Sequence, residues 1–103
     1  MNRAVEAVDQ EIAKEKAEAL GLTGRRLEHA LRALREFDSH RASRAAAPDD
    51  ARRRADLWAE AAERVTSMLV QREAQGLRDP GYVFRFYSVP PEVIARLGIR
   101  TAR

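Results

Sequence analysis

Apolar residues recur at helical spacing from Val5 to Phe37. At about 100° per residue, Val5, Val8, Ile12, Ala19, Leu20, Thr23, Leu27, Ala30, Leu31, Leu34 and Phe37 share an arc of about 140°, the width of a helix that buries one face. The phase holds across Gly21 and Gly24, although each glycine costs about 1 kcal/mol relative to alanine in a helix interior. The spacing predicts one long helix over about 3–38, with Asn2 as its N-cap. The two glycines then mark close approach of another backbone. The alternative is a helix that ends at Gly21 and restarts at Thr23.

The segment DSHRASRAAAPDD has no periodicity and reads as a loop over about 39–48. Pro48, Asp49 and Asp50 are a start signal for a second helix over about 49–75. There Ala51, Leu57, Trp58, Ala61, Ala62, Val65, Met68 and Leu69 again share about 140°. Gly76 suits the left-handed residue that ends a helix, with Leu77 packing back on the last turn. Beyond it, Asp79-Pro80 resembles an N-cap followed by proline at the first helical position. Tyr82, Phe84, Phe86 and Tyr87 are four of the six aromatic residues. VFRFY also suits a strand, but no other segment offers it a partner, so one or two helical turns over 80–87 are the better reading. A last short helix over 91–97 ends at Gly98.

These elements make one all-α domain over 1–103, a long αα-hairpin with one or two short C-terminal helices. Each long helix has an apolar arc too wide for a two-helix seam. The aromatic segment covers only part of the surplus, so the expectation is a homodimer that closes a four-helix bundle. Trp58, Val65, Met68 and Leu69 are the expected oligomer interface.

Composition narrows the class without naming a function. The chain has 103 residues, 45% hydrophobic and 34% charged, which suits a folded domain and not a disordered one. No apolar run approaches the ~20 residues of a membrane span. The opening MNRAVEAVDQEI carries acids where a signal peptide needs an apolar core, so a cytoplasmic location is expected. Cysteine is absent, which excludes disulfides and thiol chemistry. The net charge of +3 comes with 17 Arg, 2 Lys and 19 Ala, a bias that a GC-rich genome imposes on any protein. Residues 1–20 carry five acids against three bases, and residues 25–54 nine Arg against five acids.

No catalytic constellation emerges, and no cofactor or metal is expected. His29 and His40 have no partner in a ligand spacing. Asp49 and Asp50 read as helix caps before metal ligands. Glu60, Glu63 and Glu73 lie off the apolar arc, so the inward carboxylates of a di-iron bundle are missing. GLTG lacks the Walker lysine. Arg41, Arg44, Arg52, Arg53 and Arg54 form the sharpest basic cluster and could meet a phosphate backbone; the plainer reading is a solvated helix start offset by Asp49, Asp50 and Asp56. PPEVIARLGIRTAR looks like the opening of a helix-turn-helix, yet no recognition helix follows it. The aromatic cluster could stack bases, but reads more simply as the lid of the core.

Three stretches, the VDQEI of the opening, GRRLEHALRALREFD and QREAQGLRD with PPEVIARLG, resemble a group of short bacterial proteins of unknown function. The resemblance covers nearly the whole chain and implies no activity, ligand or catalytic residue. The expectation is therefore a non-enzymatic helical module for protein–protein interaction or self-assembly, its partner another protein or a second copy. The alternative is a weak nucleic-acid-binding accessory protein using the five arginines.

Overall fold

The computed structural model describes residues 3–98, and all its regular elements are helices. They are α1 (Arg3–Ala42), α2 (Asp50–Ala74), α3 (Pro80–Phe86) and α4 (Pro91–Arg96). The expected cap at Asn2 and the terminal Arg100 and Arg103 lie outside the described residues.

Helix α1 runs unbroken through Gly21 and Gly24. Its 40 residues make a rod of about 60 Å, against about 37 Å for the 25 residues of α2. It also runs four residues past the expected boundary at Asp38. Two contacts account for this: Asp38 is held by Arg54 of α2, and Ser43 closes the last turn through its hydroxyl on the His40 carbonyl.

The link to α2 is tied by Asp50 and not capped by Asp49. The Asp49 side chain makes no capping hydrogen bond. The Asp50 carboxylate instead accepts the Ala47 N–H at 2.7 Å and two bonds from Arg44 at 3.0 and 2.6 Å, and it pairs with Arg41 at 3.1 Å. These partners hold its carboxyl down at about 2, with the Arg44 bonds the largest cause and the Ala47 N–H the next.

Helix α2 packs along α1, and α3 and α4 pack on α2. Ala30, Ala61 and Ala62 are buried at the contacts, where small side chains let helices approach to the short end of the usual 8–10 Å. Leu27, Leu31, Leu34, Val65, Val83 and Val93 are fully enclosed, each worth about 1.5–3 kcal/mol of burial. Gly24 is buried under the tip of Tyr87: a Cβ there would lie 2.5 Å from the phenol oxygen. Gly21 meets nothing closer than 3.5 Å. Only Gly24 is a close approach, and it is to a side chain and not to the backbone that the sequence suggests.

The turns after α2 and α3 share one geometry. Gly76 is left-handed, Leu77 N–H bonds the Arg72 carbonyl, and Gly76 N–H bonds that of Glu73, the Schellman pattern. After α3 the same pattern is built on a serine: Ser88 has φ 52°, with Val89 N–H on Phe84 and Ser88 N–H on Arg85.

The C-terminal helices cover more of the hairpin than the sequence implies. Val65 and Met68, expected at an oligomer interface, are 0% and 3% exposed within the single chain. They are core, because α3 and α4 fill the flank that the hairpin leaves open. Trp58 and Leu69 are half-buried against that core. The surplus apolar surface sits elsewhere.

Candidate functional site

Part of that surplus is at the start of α1; Leu22, Val70, Leu77, Tyr82 and Phe86 are exposed elsewhere. Gln75, the last residue of the α2 turn, reaches the Lys16 carbonyl of α1 at 3.4 Å. N-terminal to that point α1 continues as an arm, and every residue from Ala4 to Ala19 is exposed. Val5, Val8 and Ile12 are 55%, 55% and 44% exposed, at the i, i+3, i+7 spacing of an anchoring stripe. Asp9 flanks the stripe on one side, Glu11 and Glu15 on the other, at about 100° per residue. The arm is amphipathic, and its polar edge carries more acids than bases, with Lys16 beside Asp9.

A groove of about 340 Å³ lies where α1 and α2 run side by side, on the flank away from α3 and α4. Ala30, Ala33 and Leu57 form its apolar floor. Arg25, Arg26 and His29 line it from α1, and Arg53, Glu60 and Arg64 from α2. Arg64 pairs with Glu60 at 2.8 Å. Arg25, Arg26 and Arg53 make no ion pair among the described residues, so the groove has surplus positive charge.

The five arginines expected to form one basic surface are divided. Arg41 and Arg44 are spent on Asp50. Arg54 bridges α1, α2 and α4 through Asp38 at 2.8 Å and Glu92 at 2.7 Å, and these bonds raise its pKa. Arg53 faces the groove, and Arg52 is exposed. Successive helical residues point about 100° apart, so a run of three cannot make one patch. The signal that finds the groove is Arg53, Leu57, Glu60 and Arg64, spaced by four, three and four residues on one face.

His40 is exposed in the last turn of α1. Among the described residues no group of three or more acids or histidines could hold a metal ion, and no helix is long and apolar enough to cross a membrane. The aromatic segment is mixed: Phe84 is buried, whereas Phe86 is 63% exposed and stacks on Tyr82. Arg72 lies 4.7 Å over the Tyr82 ring and Arg96 4.5 Å over that of Trp58, contacts that hold α3 and α4 on α2.

A family model, described as a family of unknown function, DUF6665, matches residues 1–103. The chain belongs to this family. No curated protein and no solved structure matches the DUF6665 chain.

Proposed function

We propose that this DUF6665 protein is a non-enzymatic, cytoplasmic interaction module that works by self-association, as a homodimer completing a four-helix bundle. The observation that carries this reading is the arm. A helical stretch exposed on all sides is marginal in water, and a stripe of Val5, Val8 and Ile12 left in solvent gains by being covered. Lack of cysteine suits a reducing compartment. The interface proposed from sequence moves with the apolar surplus, away from Val65 and Met68 and onto the arm.

Nucleic-acid binding stands second. Three of its five arginines are committed to internal carboxylates, which breaks up the single basic surface on which multiple phosphate contacts depend. Sedimentation equilibrium tests the first reading: a dimer is expected at micromolar concentration, and a monomer at every concentration would refute it. Retention on heparin that is lost at moderate salt and weakened by Arg52→Ala/Arg53→Ala would favour the second.

A further inference from the structure

The arm and the groove are complementary to each other. The arm offers three apolar anchors flanked by carboxylates, and the groove an apolar floor edged by Arg25, Arg26 and Arg53, which make no ion pair among the described residues. They also match in length. Val5 to Ile12 spans about 11 Å, and the groove from Arg25 to Ala33 about 12 Å, at 1.5 Å per residue.

The arm cannot reach its own groove, because both belong to one straight helix. They do lie on the same line along it. Eighteen residues make five full turns, so Val8 and Ile12 sit directly along α1 from Arg26 and Ala30. A second α1 laid antiparallel on this flank meets the arm first and the groove next without changing face. Centring the stripe on the groove places the crossing near residue 19, where Ala19 is exposed and small enough for close approach.

We infer that the arm of each chain docks in the Arg-rimmed groove of a second copy, the two α1 helices crossing antiparallel on a two-fold axis near Ala19. The contact is helix-in-groove and occurs twice by symmetry. With that crossing, Glu11 and Glu15 of one chain lie level with Arg25 and Arg26 in the other, and Asp9 lies level with His29. This inference rests on the self-association reading and adds its surface, register and polarity.

Because the chain has no cysteine, single-cysteine variants test the crossing directly. Ala19→Cys lies on the axis and is expected to give a covalent dimer on oxidation, since only Cα atoms within about 7 Å can be bridged. Ala17→Cys points to the opposite side and is expected to stay monomeric. Val8→Glu/Ile12→Glu changes exposed positions only, so helicity should persist while dimerisation weakens by about 100-fold or more. Glu11→Arg/Glu15→Arg reverses the arm, and Arg25→Glu/Arg26→Glu reverses the groove. Each should be monomeric alone, and mixing the two should give a heterodimer in which both contacts are attractive.

A wild-type monomer at all concentrations would sink both this inference and the self-association reading. A dimer untouched by the arm variants, or cross-linking equally through Ala17→Cys, would overturn the docking alone. So would charge-reversed variants that fail to pair while the wild type dimerises. Heparin retention weakened by the groove reversal, in a chain whose dimer is unaffected, would assign the groove to phosphates instead.

Discussion

Replacing Gly24 with alanine sets two opposing effects against each other. In an open helix the substitution stabilises by about 1 kcal/mol, the propensity difference. Here the added methyl would stand 2.5 Å from the Tyr87 hydroxyl, with Met68 Cε and Tyr87 Cζ both at 3.5 Å. The latter two are ordinary contacts, so the whole conflict lies with one oxygen. The Tyr87 ring is held edge-on by Phe86 at 4.9 Å, and its backbone by the turn at Ser88. Displacing it costs about 1–3 kcal/mol, the usual penalty of overpacking. Gly24→Ala is therefore expected to destabilise by about 1 kcal/mol net, lowering Tm by roughly 4 °C for a domain of this size. In a Tyr87→Phe background the oxygen is gone, and the same substitution should stabilise by about 1 kcal/mol. Thermal and urea unfolding of the four proteins gives a coupling of about 2 kcal/mol, well above the few tenths expected of independent sites. Gly21→Ala is the control and should stabilise in both backgrounds. If Gly24→Ala raises Tm equally with and without the Tyr87 hydroxyl, the packing argument is wrong.

Ser88→Gly should raise stability by about 0.5–1 kcal/mol in denaturant unfolding, because a left-handed backbone strains every side chain that carries a Cβ. Val65→Ala should cost about 2 kcal/mol or more in unfolding free energy while leaving native mass unchanged, as befits a core position; a lost dimer with unaltered unfolding would contradict that placement. The folded Asp50 carboxyl, at about 2, lies below its ordinary value of 3.8. Its stabilisation is complete above the ordinary value and disappears as pH falls through 3.8 toward 2. Asp50→Asn should flatten the acid limb of a stability–pH profile over that window, and an unchanged limb would show that other carboxylates dominate.

How much of this was legible depended on whether a feature was local. The continuity of α1 could be read from the phase of Val5 to Phe37, since burying one face imposes a single period whatever the glycines do. Gly76 could be placed because a left-handed helix end selects its residue type directly. Ser88 could not: nothing in its chemistry announces a positive φ, and the geometry comes from burial of Phe84 and Val89 on either side. Asp49 and Asp50 both suit a cap by type, yet position relative to Arg41 and Arg44 made Asp50 a tether for the link and left Asp49 without a capping bond. The greatest loss was tertiary. Val65 and Met68 are equally apolar whether they face α3 or a partner chain, and only the path of the aromatic segment decides between them. Arginines 52–54 are contiguous in sequence, whereas a helix brings together residues three and four apart.

The tether at Asp50 also bears on how the chain folds. Its partners, Arg41, Arg44 and Ala47, all lie within nine residues of it in sequence, so joining them closes only a short loop. Loop-closure entropy grows with the length enclosed, which makes this tip the least costly place for α1 and α2 to meet. Pairing then propagates from the tip toward Gly76, adding Leu34, Leu31 and Leu27 in turn, and reaches Lys16 last. Substitutions near Asp50 should slow folding, whereas those near Gln75 should chiefly speed unfolding. A hairpin assembled in that order has low contact order and the fast kinetics that accompany it.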